Sequence, residues 1–143
     1  MAPAGAWLAV TGRLAPAPLV LGAAVTLWVA GFDIIYSLQD QAFDRANGLF
    51  SAPARLGVGR ALWLARGAHL LALAGFLVFA AAAGGGVLRA AAVVAAAGLL
   101  VWQHRLVAPR DLSRVNAAFF TTNGILSILM CVLFVLAKLT AGP

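Results

Sequence analysis

Four long apolar segments constrain this chain more than any other feature. Each approaches the roughly 20 residues that a helix needs to cross about 30 Å of hydrocarbon. Unpaired backbone polar groups are too costly in lipid, so helices are expected there rather than open strands. Charged residues make up only 10% of the 143 residues, whereas a soluble domain has about a quarter. We therefore predict an all-α membrane protein, a single region over residues 1–143 with about four transmembrane helices near 14–35, 61–83, 87–104 and 115–137.

The cations between these segments predict how the bundle is oriented. One side carries seven arginines, and the other side carries three cations. The first group is Arg45, Arg55, Arg60, Arg66, Arg105, Arg110 and Arg114, and the second is Arg13, Arg89 and Lys138. By the positive-inside rule the first group faces the cytoplasm, as expected for a multi-pass protein of the inner membrane. Because the cations lie in short loops rather than on one soluble face, no nucleic acid is expected as a partner.

The first apolar segment has an alternative interpretation as the core of a signal peptide over residues 19–30. A cation precedes it and small residues follow it, as in signal peptides. However, no clean A-x-A cleavage site follows. Cleavage there would also remove the segment that leads into the acidic residues, so a membrane span is the better interpretation.

Negative charge is concentrated at the end of this first segment. Three of the four acidic residues, Asp33, Asp40 and Asp44, lie within twelve positions. On an ideal helix all three point within about 20° of one direction, and Tyr36 lies about 60° away. Asp40 and Asp44 are one turn apart and repel each other, which a divalent cation would resolve. Magnesium prefers one or two carboxylates together with phosphate oxygens and water, although plain solvation of a helix end is the alternative.

Asp33 differs from the other two because it lies within apolar sequence. A carboxylate at the centre of a membrane helix costs about 2.5–3.5 kcal/mol on insertion scales. Such a residue is expected to face a polar cavity or a partner. With Tyr36 on nearly the same face, a cavity lined by both side chains is the favoured interpretation.

These residues resemble a known family. The pattern D-x-x-Y-x-x-x-D-x-x-x-D, formed by Asp33, Tyr36, Asp40 and Asp44, is similar to the second aspartate-rich motif of the UbiA superfamily of membrane prenyltransferases. Three later stretches resemble its 4-hydroxybenzoate polyprenyltransferase branch and occur in the same order. They are DRANGLFSAPARLGVGRAL at 44–62, QHRLV at 103–107 and LSRVNAAFFTTNG at 112–124.

The resemblance implies a nine-helix enzyme that moves a polyprenyl group from its diphosphate to an aromatic acceptor such as 4-hydroxybenzoate, with Mg²⁺, in quinone biosynthesis. The family's first motif, of N-D-x-x-D-x-x-x-D type, does not occur in this sequence. The chain is therefore expected to be the C-terminal half of such a bundle, helices six to nine, and to need the missing N-terminal half. Its partners would be polyprenyl diphosphate, the aromatic acceptor and the lipid bilayer.

The resemblance also implies roles for individual residues. Asp40 and Asp44 would hold Mg²⁺, and Asp33 and Tyr36 would act in catalysis. Asp33 could orient Tyr36, stabilise an allylic cation or accept the ring proton, and these possibilities stay open. Diphosphate contacts are expected from Arg45, Ser51 and Arg55.

Several of these residues have structural alternatives. Arg45 and Arg55 could serve only to set the topology, and Ser51 could cap a helix that begins before Pro53. Asn123 could line the cavity or form interhelical hydrogen bonds, and its spacing of seven from Asn116 predicts that both share a face. The histidines, His69 and His104, are expected to be structural because neither has a partner at ligand spacing.

Two other classes of function compete with prenyl transfer. A small transport or energy-coupling subunit could use Asp33 as a relay for protons or cations. A noncatalytic helical partner could complete another chain. The relay hypothesis predicts that Asp33 matters and that Asp40 and Asp44 do not, whereas prenyl transfer predicts the opposite emphasis with dependence on magnesium.

Overall fold

A computed structural model describes residues 1–140 of the chain. Its elements are helical, in agreement with the predicted fold class, and the described residues add only an isolated β-bridge between Ala108 and Asp111. The helices are α1 (Ala2–Thr11), α2 (Pro16–Ser37), α3 (Gln41–Ala46), α4 (Ala52–Leu56), α5 (Val58–Ala82), α6 (Val87–Arg105) and α7 (Thr122–Thr140). A 3-10 turn, Leu38–Asp40, precedes α3, and a π-helical segment, Ala117–Thr121, precedes α7.

Four helical segments are long and apolar enough to cross a membrane, which confirms the predicted fold class. They are Pro16–Ala46, Val58–Ala82, Val87–Arg105 and Ala117–Thr140. The largest difference from the sequence prediction is in the first, where helical structure continues beyond residue 35. Pro16 lies in the first turn of α2, where a missing N–H costs no hydrogen bond, so the prolines begin this helix instead of distorting it.

Small residues allow α2 and α5 to pack closely. A Cβ atom added to Gly75 would lie 2.7 Å from the Cβ of Ala24, and one added to Gly31 would overlap the ring of His69. Ala24 and Ala72 are fully buried in the same interface. In lipid, where the hydrophobic effect does not drive helices together, such close packing is a main source of association.

Two further clusters complete the interior. Ala96 and Leu100 of α6 pack against Leu126 of α7 in the middle of the bundle. Near the end of α2, Leu38 is buried with Leu62 and other apolar side chains. Ala52 of α4 packs against this second cluster, and two side-chain hydrogen bonds join α3 to α4, so the cluster helps to position the residues of the acidic motif.

Candidate active site

The acidic motif does not follow one continuous α-helix. The 3-10 turn Leu38–Asp40 interrupts it, and a 3-10 helix turns by about 120° per residue instead of 100°. Three such residues add about 60° of rotation between Asp33 and Asp44. The predicted ladder of three carboxylates on a single helical face is therefore corrected. The turn places Leu38 in the buried cluster and leaves Asp40 exposed.

Asp40 and Asp44 keep their spacing of one helical turn across α3. Asp40 occupies the N-cap position of α3, but its carboxylate does not cap the helix. Asp44 is half-buried one turn further along. Both are hard oxygen ligands of the kind that magnesium prefers, so the residues present fit this ion. Within residues 1–140 no group of three or more His, Cys, Asp or Glu residues could hold a metal ion. The pair would therefore need phosphate oxygens, water or another segment as further ligands.

The fourth acidic residue shows the contrast with a structural carboxylate. Asp111 accepts hydrogen bonds from the backbone N–H of Ser113 at 3.0 Å and from its hydroxyl at 2.6 Å. These bonds favour the charged form and hold the pKa of the Asp111 carboxyl below its ordinary value. Asp111 thus stabilises the turn before α7, whereas Asp40 makes no capping bond.

The three residues expected to contact diphosphate lie together on α3, α4 and the loop between them. The Nε–H of Arg45 donates to the carbonyl of Ala54 at 3.0 Å. The hydroxyl of Ser51 accepts from the backbone N–H of Ala54 at 3.3 Å, so Ser51 does cap α4 as its structural alternative states. The guanidinium of Arg55 lies 4.2 Å from the centre of the Phe50 ring, an arrangement typical of cation–π contacts.

Tyr36 belongs to an aromatic cluster between α2 and the π-helical segment. Its ring centre is 4.3 Å from that of Phe119 and 6.0 Å from that of Phe120. Phe32 contacts Phe119 at 5.2 Å and Trp28 at 5.7 Å. Trp28, Phe32 and Tyr36 are spaced four residues apart, so they form one stripe along α2. Asp33 follows Phe32 directly and is exposed on the surface of the described bundle.

The π-helical segment decides the placement of the two asparagines. A π turn contains an extra residue compared with an α turn, so the seven-residue spacing of Asn116 and Asn123 no longer puts them on one face. Asn123 is buried and Asn116 is exposed, and the predicted shared face is wrong for this reason. The side chain of Gln103 supports the segment by donating to the carbonyl of Ala118 at 2.7 Å.

Asn123 forms the interhelical hydrogen bonds that one of its two alternatives predicts. Its Oδ1 accepts from the indole N–H of Trp28 and from the amide of Gln103, each at 3.3 Å. It also lines a groove of about 330 Å³ beside the aromatic cluster, together with Phe32, Phe119 and other side chains. The hydrogen bonds hold α2, α6 and α7 in register at the base of this groove.

Sequence reasoning missed two polar contributors, Trp28 and Gln103, and the pairing of the two histidines. Trp28 and Gln103 form the network around Asn123. His69 and His104 lie 35 residues apart, and their Nδ1 and Nε2 atoms are 2.9 Å from each other. The four-residue spacing of Trp28 from Phe32 is a signal that could have revealed the first. The histidine pair has no local signal because it depends on how α5 packs against α6.

The geometry can be compared with known proteins. The model of the UbiA prenyltransferase family matches residues 1–138. The chain is also similar to the 4-hydroxybenzoate solanesyltransferase of Synechocystis sp., with 41% identity over 58 residues, which cover 39% of this chain and 20% of that protein. The match thus spans about a fifth of the length of this curated relative. No solved structure matches the chain.

Proposed function

Because this chain belongs to the UbiA prenyltransferase family, we propose that it acts in transferring a polyprenyl group from polyprenyl diphosphate to an aromatic acceptor. The acceptor proposed is 4-hydroxybenzoate, in quinone biosynthesis, by analogy with the relative named above. The observation that carries the proposal is the pair Asp40 and Asp44, which lie one helical turn apart. The Asp40 carboxylate is exposed and makes no capping hydrogen bond. Such a pair suits a magnesium–diphosphate complex.

The proposed metal ligands are the carboxylates of Asp40 and Asp44. Magnesium bound there would neutralise charge on the diphosphate as it leaves. Arg45 and Arg55 add positive charge from the neighbouring helices, and guanidinium groups match phosphate geometry well. Arg45 uses its Nε–H for the carbonyl of Ala54, so its terminal nitrogens are the ones proposed to contact phosphate. The hydroxyl of Ser51 is proposed as a donor to phosphate, because its contact with Ala54 uses only the oxygen as acceptor.

The proposed reaction breaks the bond between the allylic carbon and the diphosphate oxygen. The ring carbon ortho to the phenol oxygen of the acceptor then bonds to that allylic carbon, and the ring loses a proton. Asp33 and Tyr36 are the residues proposed to act in this step. Asp33 is proposed to orient Tyr36, stabilise the allylic cation or take the ring proton. The groove beside Phe32, Phe119 and Asn123 has apolar walls suited to the first isoprene units.

A second acidic segment is proposed to complete the site. Two carboxylates do not satisfy magnesium alone, and no third metal ligand of the common types joins them within the described chain. Asp33 is also exposed on an apolar helix, where lipid contact would be costly. A complementary N-terminal half that covers Asp33 and brings further carboxylates would meet both needs. We also propose an inner-membrane location, and the arginine distribution supports an orientation with the acidic motif on the cytoplasmic side.

The test is the double substitution Asp40→Asn with Asp44→Asn in the chain assembled with its complementary half. Product formation from polyprenyl diphosphate and 4-hydroxybenzoate should fall by at least about a hundredfold, because Lewis-acid stabilisation of a leaving group contributes several kcal/mol. Asp111→Asn is the matched control, since Asp111 serves only its loop turn, and it should retain activity. Unchanged product formation in the double variant would refute the proposal.

Titration with Mn²⁺ separates the metal site from later steps. The unsubstituted assembly should bind this ion in the presence of diphosphate, and the double variant should not. Should Asp33→Asn alone abolish function while the double variant keeps it, the relay hypothesis would replace prenyl transfer.

A further inference from the structure

We propose that the end of the bundle opposite the acidic motif binds an anionic phospholipid. Its acyl chain would lie in an apolar cavity between α2, α5 and α7, and its phosphate would lie at Arg89 and Lys138. Its wall shares Trp28 and Ser127 with the groove beside Phe32, but its cations lie at the opposite end of the bundle from the acidic motif.

The cavity has the size and chemistry of a site for an acyl chain. Its volume is about 640 Å³, and apolar side chains form nearly all of its wall. Among them are Val25 and Trp28 of α2, Phe76 and Phe79 of α5, and Met130 and Phe134 of α7. In lipid such a cavity is filled by hydrocarbon, because neither water nor an empty space is favourable there.

Two cations give the cavity a charged end. Arg89 lies in the first turn of α6 and Lys138 in the last turn of α7, and both line this cavity. They also line a neighbouring cavity of about 730 Å³ that reaches α1. The four acidic residues are Asp33 in the second half of α2, Asp40 and Asp44 in the 3-10 turn and α3 that follow it, and Asp111 in the loop after α6. Within residues 1–140, therefore, no Asp or Glu side chain lies at this end of the bundle to neutralise the two cations.

Membrane topology alone does not explain why Arg89 and Lys138 lie together. The positive-inside rule disfavours cations at the end of the bundle away from the arginine-rich loops, yet two of the three cations at this end converge on one cavity. Arg89 donates one Nη1–H to the carbonyl of Gly85 at 2.7 Å, and its remaining donors stay available to a phosphate. The tail of a prenyl substrate is uncharged and has no use for two cations, whereas an anionic phospholipid matches both the apolar wall and the charges.

Fluorescence of Trp28, which lines the cavity, provides the test. The full chain is prepared in nonionic detergent with Trp7→Phe, Trp63→Phe and Trp102→Phe, so that Trp28 is the single reporter. Phosphatidylglycerol with brominated acyl chains should quench Trp28 at a mole fraction at least about fivefold lower than brominated phosphatidylcholine does. Arg89→Gln and Lys138→Gln should each weaken this quenching about fivefold, the effect expected for one cation near an anionic lipid.

Arg13→Gln is the matched control, because Arg13 lies at the same end of the bundle but lines neither cavity. It should leave quenching unchanged. Equal quenching by the two lipids, or equal loss in all three variants, would overturn the proposal. Displacement of the lipid by inorganic phosphate would identify a plain phosphate site, and equal quenching by a brominated uncharged polyprenol would identify a tail pocket. Either result also overturns it.

A second measurement uses the unsubstituted chain. Cys131 is its single cysteine and lines the same cavity. Phosphatidylglycerol should slow its alkylation by N-ethylmaleimide several-fold, measured by mass spectrometry, and phosphatidylcholine should not. An alkylation rate that does not respond to the anionic lipid would contradict the proposal without relying on any variant that folds poorly.

Discussion

The absence of a side chain at Gly31 shapes the interior of the bundle. The ring of His69 lies where a Cβ atom on Gly31 would be. From this position the Nε2 of His69 is 3.2 Å from the carbonyl of Trp28, and its Nδ1 is 2.9 Å from His104. One glycine thus allows α2, α5 and α6 to share a buried polar contact.

Gly31→Ala is therefore expected to destabilise the chain. The added methyl group would displace the ring of His69, and overpacking of this kind typically costs about 1–3 kcal/mol. Gly67→Ala on α5 is the matched control, because nothing lies within 4 Å of a Cβ atom there. The control should be neutral or slightly stabilising, since alanine favours helices. Thermal unfolding in detergent measures the stability of both variants. Equal unfolding midpoints would show that a methyl group at Gly31 does not overlap the ring of His69.

At the scale of elements, α3 and α4 form one unit around the acidic motif. Gln41 and Arg45 of α3 donate to consecutive carbonyls of α4, those of Pro53 at 2.9 Å and Ala54 at 3.0 Å. These two bonds make equivalent structural ties, but only Arg45 carries a charge. Substituting Gln41 and Arg45 separately therefore distinguishes a structural contribution from the proposed contact with diphosphate.

Arg45→Ala should raise the KM for polyprenyl diphosphate about tenfold or more in the assembled protein, because it removes the charged hydrogen bond that is proposed to reach phosphate. Gln41→Ala breaks the neighbouring tie and leaves the charge in place, so its KM should change less than about threefold. Steady-state kinetics distinguish the two variants. Similar changes in KM in the two variants would mean that Arg45 only holds α4 in place.

For the molecule as a whole, the exposed Asp33 and the pair Asp40 and Asp44 are the basis of the proposal that the site is shared with another segment. We expect residues 1–143 alone to form no product from polyprenyl diphosphate and 4-hydroxybenzoate. Addition of a complementary helical fragment that carries a second aspartate-rich motif should bring product formation with Mg²⁺, detected by mass spectrometry. Unaided turnover by the chain would rule out the two-segment site.

The proposed orientation makes a separate prediction. In a Cys131→Ala background, Asn47→Cys lies in the loop after α3, and Ala82→Cys lies at the last residue of α5. The two positions are at opposite ends of the bundle, so a membrane-impermeant maleimide should label only Ala82→Cys in intact cells. Asn47→Cys should react only after the membrane is opened. Labelling of Asn47→Cys but not of Ala82→Cys in intact cells would show that the orientation is the opposite of the proposed one.

The sequence by itself determined the properties that depend on local chemistry. Segment length and apolarity are enough to predict four spanning helices, because lipid leaves the backbone no other structure. The spacing of Asp33, Tyr36, Asp40 and Asp44 was enough to suggest the family, which the comparison with the family model confirms over residues 1–138.

Only the tertiary structure decided how those helices deviate from ideal geometry. Burial of Leu38 accompanies the 3-10 turn that rotates Asp40 and Asp44 away from the face of Asp33. Gln103 supports the π-helical segment that separates Asn116 from Asn123. His69 meets His104 only because Gly31 leaves room for its ring. Helical spacing assumes regular dihedral angles, and these departures are stabilised by contacts between distant segments, which spacing along one helix does not contain.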